Sequence, residues 1–355
     1  MATYNRLNPE DTAVSTDKVV SNTWSNDVNI LTTQIFTASV QSTIATATSQ
    51  GNFFIEVYTS SSKQDPALDK PFQGEGNPEF TVSYGNKTGL GAENFTNTAG
   101  ALGNTATKCI YRQYAQLVFG DENSNFVFNG HEPNGIYVVN ISRARYKHGL
   151  KAGSLNLTLN DGGGGGDYIL TDDSITLTGS AVVTNLGRQF NLVEGTDGVM
   201  TGTNLSQTPG NDKGSYGFVY PEAGVIIFNE DALVDKDPAS HFVVPTTSTN
   251  ESINLKLVGA IQRGASFELD SEERVSSQYM FVRVKNSEYN YSSNPSYIDT
   301  NGNLNNTTMV DSPTTYVTTV GLYNDDNNLL AVAKLSQPLK KDFTTEALVR
   351  VKLDY

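Results

Sequence analysis

From residue 80 onward, apolar and polar residues alternate along much of the chain. Phe80, Val82 and Tyr84 are interleaved with Thr81 and Ser83, and Leu155, Leu157 and Leu159 with Asn156 and Thr158. Ile175 and Leu177 alternate with Thr176 and Thr178, and Phe281 to Lys285 repeats the pattern. At the C-terminus Val349, Val351, Leu353 and Tyr355 take turns with Arg350, Lys352 and Asp354. A period of two puts apolar groups on one face of a strand and polar groups on the other. Ile136-Tyr137-Val138-Val139 is apolar throughout, as in a strand covered on both faces. Turn formers separate these runs: Asn129-Gly130, Asn134-Gly135 and Asn301-Gly302 tolerate positive φ, and Gly162 to Gly166 reads as a loop tip between two strands.

One segment has a helical period. Ala106, Ile110, Tyr114, Leu117 and Val118 form an apolar stripe flanked by Cys109 and Tyr111, with Asn104 or Thr105 as N-cap and Gly120 as the stop. The expectation is therefore a mainly β protein: antiparallel sandwich or barrel-like sheets, one amphipathic helix, and an extended N-terminal arm. The arm covers residues 1–30, which are polar and aperiodic. Beyond it the Gly- and Asn-rich stretches suggest a β-rich domain with the helix at 31–160, a second β-rich domain or insertion at 161–310, and a C-terminal β-meander at 311–355, packing on the first domain.

Composition narrows the function classes. Apolar residues make up 37% and charged residues 17% of the 355, with 17 Tyr and 16 Phe, enough for a sizeable core. The formal net charge is −14, which argues against nucleic acid and against an anionic membrane surface as partner. Cys109 is the single cysteine, expected as a small packed residue; it excludes an intramolecular disulfide and a thiolate metal cluster. Met1 to Val20 has no signal-peptide pattern, and the longest aliphatic runs, such as Leu329 to Ala333, are far too short for a membrane span. Triplets such as Asn94-Phe95-Thr96 and Asn156-Leu157-Thr158 reflect the abundance of Asn and Thr.

Catalytic chemistry is not legible. His131, His148 and His241 have no metal-pair spacing, and Pro133 after His131-Glu132 rules out the helix of a zinc-protease motif. No nucleophile elbow, phosphate-binding loop or dinucleotide fingerprint is present. Gly162 to Leu170 formally fits one calcium β-roll nonapeptide, but that site needs stacked copies. The acidic pairs Asp172-Asp173, Glu272-Glu273 and Asp325-Asp326 read as solvated. A non-enzymatic protein without cofactor or metal is expected. Tyr289, Tyr291 and Tyr297, in a Ser- and Asn-rich stretch, are the candidates for contact with a sugar.

The most specific segment lies near the end. Thr315-Tyr316-Val317-Thr318-Thr319-Val320-Gly321-Leu322-Tyr323, the turn Asn324 to Asn328, and Leu329-Leu330-Ala331-Val332-Ala333-Lys334-Leu335 read as a β-hairpin closed by Pro338 before the final strand. This hairpin resembles a pattern in the attachment modules of phage tail fibres. The block to Tyr355 is similar to C-terminal regions of virion proteins from large contractile-tailed phages, cyanophages among them. Phe80 to Gly85, Ile110 to Tyr114 and Ile136 to Tyr146 are weaker echoes. The resemblance implies a structural tail or baseplate subunit of a virion, made in the host cytoplasm, oligomeric, and bound to other tail proteins. Candidate assembly residues are Gly321, Leu322 and Tyr323 in the hairpin and Val349, Val351, Leu353 and Tyr355 in the last strand, which together with the arm is placed to pair with a neighbour by strand addition. The alternative is an adhesin for host surface glycans.

Overall fold

The computed structural model of the chain describes residues 4–25, 27–32, 35–39, 53–59, 78–91, 105–160, 162, 166–177, 179–202, 213–236, 241–245, 248 and 250–354. The fold is mainly β, 44% strand and 16% helix, with antiparallel sheets as the alternation requires. In chain order the strands before the first helix are β1 (Thr12–Asn22), β2 (Ile30–Leu31), β3 (Ile35–Ser39), β4 (Phe54–Thr59) and β5 (Phe80–Asn86), followed by α1 (Ala106–Phe119). Next come β6 (Gly135–Ile141), β7 (Gly149–Leu150), β8 (Asn156–Asn160), β9 (Asp167–Asp172), β10 (Val182–Thr184), β11 (Gly187–Thr196), β12 (Val199–Met200), β13 (Gly217–Tyr220) and β14 (Val225–Asn229). Helices α2 (Glu230–Lys236) and α3 (Asn250–Gly264) lead to β15 (Phe267–Glu268), β16 (Asp270–Val284), β17 (Thr315–Tyr323), β18 (Leu329–Lys341) and β19 (Ala347–Asp354). The chain forms two compact units, Val19–Glu273 and the pair of segments Met1–Lys18 and Arg274–Tyr355. The divide thus falls at 18/19 and 273/274 rather than near 160 and 310.

The larger unit is built on one sheet, curled into a half-barrel, in the order β2-β15-β8-β9-β11-β13-β14-β6-β5-β4-β3. At its centre β6 is covered on both faces, which explains its unbroken apolar run. Tyr137, Val139 and Ile141 join Phe80, Phe228, Leu233, Phe242 and Leu257 in one core, on the side of α2 and α3. Ile136 and Val138 join Tyr111, Val118, Phe126 and Phe128 in a second core under α1. Strands β8 and β9 are antiparallel neighbours in this sheet; the expected loop tip at Gly162 to Gly166 lies mostly outside the described residues.

Several local expectations change. Helix α1 has Thr105 at its N-cap and Gly120 at φ 79 as its C-cap, but its buried face is Thr107, Tyr111, Ala115 and Val118. The stripe is rotated by one residue, so Leu117 and Cys109 face out, and Cys109 is an exposed free thiol rather than a packed residue. Among the described residues two more α-helices accompany α1; α3 buries Ile253, Leu257, Val258 and Ile261 at helical spacing. Ile175 and Leu177 lie in a turn, not a strand: Asp172 accepts the Ser174 N–H at 3.0 Å and the Leu177 N–H bonds Asp173 O at 2.8 Å. Asp172 and Asp173 are buried, not solvated, because their carboxylates take the N–H groups of Gly153 and Asn191; Glu272 is buried too. Asn129-Gly130 turns with both φ positive, as expected. Gly135 instead opens β6, where a methyl group would overlap Glu230 Oε2 and lie 2.5 Å from the Tyr84 hydroxyl.

In the smaller unit β16 pairs with β19 from Ser277↔Asp354 to Val284↔Ala347, and β1 lines the other edge of β16. The first residues are not a free arm: Leu7 packs into this unit's core, and Asp11 pairs with Arg283 at 2.9 Å. Strands β17 and β18 form a separate two-stranded sheet. Pro338 does not close the hairpin; it lies inside β18, where the register jumps between Val317↔Leu339 and Thr319↔Lys334. A bulge is where a residue without an N–H fits a strand.

Candidate functional site

Alternation makes the hairpin two-faced. Val320, Leu322, Ala331, Ala333, Leu335 and Leu339 turn inward onto Val349, Val351, Leu353, Met280 and Val282. The outward row of β17 is Tyr316, Thr319, Gly321 and Tyr323; that of β18 is Leu330, Val332, Lys334 and Lys340. This outer face is unusually apolar for one turned to solvent: Tyr316 is 58% exposed, Leu330 68% and Val332 57%. Gly321 faces Val332 across the pair, and a Cβ on it would sit 2.9 Å from Tyr323 Cε2, so the tyrosine ring lies over the glycine. Tyr4 meets Tyr323 edge-on, with centroids 5.1 Å apart.

Both ends of the hairpin are pinned. At the tip, the Asn324 N–H donates to Asn328 O at 3.0 Å, the Asn328 N–H donates to Asn324 Oδ1 at 2.7 Å, and Asn327 takes φ 63. At the base, the fully buried Lys341 ammonium donates to Asn286 O, Asn290 Oδ1 and Asp342 O, each at 2.8 Å. Three carbonyl-type oxygens match its three protons, so each proton of the buried ammonium has an acceptor. The Thr344 hydroxyl and backbone N–H hold the Asp342 carboxyl well below the usual carboxylate range.

The expected assembly residues do not share one surface. Gly321 and Tyr323 lie on the outer face, whereas Leu322, Val349, Val351 and Leu353 build the unit's own core. Tyr355 lies outside the described residues. Strand β19 ends its sheet, so among the described residues its second edge carries no partner strand. Of the three candidate sugar-contact tyrosines, Tyr291 and Tyr297 meet edge-on at 6.2 Å, and Tyr289 stands at φ 54. Tyr291 is 60% exposed, but an edge-on pair offers no flat stacking platform. Sequence reasoning missed Tyr4, Leu330, Val332, Lys334 and Lys340. The signal for Leu330 and Val332 was present: a run such as Leu329 to Leu335 in a two-stranded sheet must leave one apolar row outside.

The larger unit holds a surface cavity of about 270 Å³, lined by Thr23, Trp24, Asp27, Arg145, Lys147 and Ser271 among others. Its polar groups are largely engaged within the fold. The Trp24 indole N–H lies 3.0 Å from both Asn29 O and Phe267 O. Arg145 pairs at 3.1 Å with the fully buried Glu79, which also accepts from Ser25 and, at 2.9 Å, from the Thr59 hydroxyl. Among the described residues no group of three or more His, Cys, Asp or Glu is placed to hold a metal ion, and no helix is long and apolar enough to cross a membrane. Comparison with known proteins gives no match to a family model, to a curated protein or to a solved structure.

Proposed function

We propose that this protein is a structural subunit of a tailed-phage virion, a tail or baseplate component that binds other tail proteins through broad surfaces. The observation that carries the reading is the outer face of the β17–β18 hairpin, where Leu330 and Val332 are exposed beside Tyr323 and the exposed Tyr316 stands further along β17 opposite Lys340, on an element pinned at both ends. Exposed apolar patches rimmed by polar residues mark interaction surfaces. The hairpin resemblance supplies the phage context. The test is mass spectrometry of purified particles and isolated tails: the protein is expected in both, and its presence only in infected-cell lysate sinks the reading. The adhesin alternative rests on the exposed ring of Tyr291; a glycan array on the purified protein would separate the two, with a blank array favouring the scaffold.

A further inference from the structure

We propose that the cavity beside Trp24 in the larger unit binds the phosphate group of a small molecule, held by Lys147, Arg145 and the hydroxyl groups of Thr23 and Ser271. This assignment goes beyond the structural role and stands independently of it.

Most polar atoms around the cavity are engaged within the fold, and the unspent ones at its buried positions are hydroxyl groups. Thr23 is 2% exposed, and its hydroxyl has no hydrogen-bond partner. Ser271 is 1% exposed; its oxygen accepts the Lys147 N–H at 3.1 Å, and its own proton goes to no acceptor among the described residues. A buried polar group left without a partner in a folded protein is the usual mark of an ion, a water or a ligand. Here two hydroxyls with protons to give line the same cavity, and a hydroxyl proton rotates to suit its acceptor. The volume, about 270 Å³, is far above the roughly 10–15 Å³ that one water needs.

Charge decides what these donors are for. The chain carries −14 overall, yet the five residues from Arg143 to Lys147 hold three of its 24 Lys and Arg. The Arg143 guanidinium lies 4.6 Å from the ring centroid of Tyr146, which lines the cavity. Arg145 lines it too and is balanced by the buried Glu79. Lys147 is exposed in the lining, and among the described residues neither it nor Arg143 makes an ion pair. Asp27 is the one carboxylate among the lining residues described, and it is unpaired as well. Three cations against Glu79 and Asp27 leave one net positive charge at the cavity.

The donors come from three separate stretches: Thr23 just after β1, Lys147 between β6 and β7, and Ser271 in β16. A phosphate group presents several oxygens in a tetrahedron and can accept from all of them at once. A flat carboxylate has two oxygens and satisfies fewer. The charge of −14 repels a long polyanion, which restricts the ligand to a single phosphate group. Asp27 cannot serve the phosphate itself, but it accepts from a hydroxyl, so a phosphorylated polyol complements the whole cavity.

The test is titration of the full chain with inorganic phosphate, glycerol 3-phosphate, glycerol and acetate, at an ionic strength held constant with chloride. The fluorescence of Trp24, the only tryptophan and part of the lining, follows binding, and calorimetry repeats each titration. Both phosphates are expected to saturate, acetate to bind more weakly and glycerol not at all. Tighter binding of glycerol 3-phosphate than of phosphate supports the Asp27 contact; equal affinities remove that contact and leave the free ion as ligand. Lys147→Gln, at an exposed position, should weaken phosphate binding about tenfold by removing a charge-assisted hydrogen bond. Thr23→Val removes a hydroxyl that has no partner in the fold, so it should weaken binding without lowering the melting temperature. Asp27→Asn suits the φ of 57 at this position and should tighten phosphate binding by removing a repulsion. No saturation by phosphate in either measurement, or Lys147→Gln and Thr23→Val that titrate like wild type, would overturn the assignment.

Discussion

Glu230 opens α2 under the central sheet and is almost fully buried. The Tyr84 hydroxyl donates to its Oε2 at 2.9 Å, and the Asn86 amide donates in turn to the Tyr84 oxygen at 3.0 Å. Burial pushes the Glu230 carboxyl up to about 7, the Tyr84 hydrogen bond pulls it down, Asp231 raises it and Lys256 lowers it. The folded protein therefore keeps this proton to about pH 7, whereas the unfolded chain releases it near the ordinary value of 4.5. Between those two values the folded state binds more protons, so stability falls as pH rises and levels off above pH 7. The full loss is about 3 kcal/mol, from a shift of about two and a half units at 1.36 kcal/mol each. Glu230→Gln removes the titration and keeps an acceptor for Tyr84, and the value of about 7 already includes the pull of the Tyr84 hydrogen bond on the charged form. The variant should thus be more stable than wild type by about 3 kcal/mol at pH 8. At pH 4.5 the two should be within about 1 kcal/mol of each other. Urea unfolding followed by the fluorescence of Trp24, the only tryptophan and part of the same core, measures both. A wild-type-minus-variant difference that does not change between pH 4.5 and pH 8 would refute the reasoning.

Two further perturbations test the packing. Gly135→Ala pushes a methyl group into Glu230 Oε2 and the Tyr84 hydroxyl, and should lower stability by about 2–3 kcal/mol in the same Trp24 assay; an unchanged urea midpoint would mean the strand start can shift. Lys341→Met leaves Asn286 O, Asn290 Oδ1 and Asp342 O without their donor, for a loss of about 3 kcal/mol in the smaller unit. Hydrogen exchange should then rise around Asn286 to Asn290 and Asp342 to Thr345 while β6 keeps its protection; a uniform rise would show that the lysine does not act locally.

The period-two reading located β5, β8, β19 and the hairpin because one-sided burial writes itself into alternate positions, and the unbroken apolar run located β6, covered on both faces. The reading failed where burial is set by local or distant partners. Helix α3 was hidden because Asn250, Glu251, Asn254 and Lys256 break up its apolar residues, and only packing against β8 and β5 reveals the stripe. The α1 face moved by one because Thr107 and Ala115, small and easily passed over, are the residues that let the helix lie close; a Cβ on Gly85 would lie 2.7 Å from Tyr111 N. Ile175 and Leu177 alternate by chance in a turn organised by Asp172 and Asp173, whose burial depends on the N–H groups of Gly153, in the turn between β7 and β8, and of Asn191 in β11. The hairpin's inner and outer rows could be separated in sequence, but which row meets solvent could not, since both are apolar. Tyr4 was beyond reach: more than three hundred residues separate it from Tyr323.

That the opening eighteen residues and everything after Glu273 belong to one unit has a consequence for biosynthesis. As the chain leaves the ribosome, the intervening body can collapse and gain its structure first, domains generally folding as units in order of emergence. Tyr4 and Leu7 must wait for β17 and β19 before they find their sites. A polypeptide terminated between Glu273 and the hairpin would hold a folded body without the outer face of β17–β18, so on the proposed reading an unfinished product could not join an assembly.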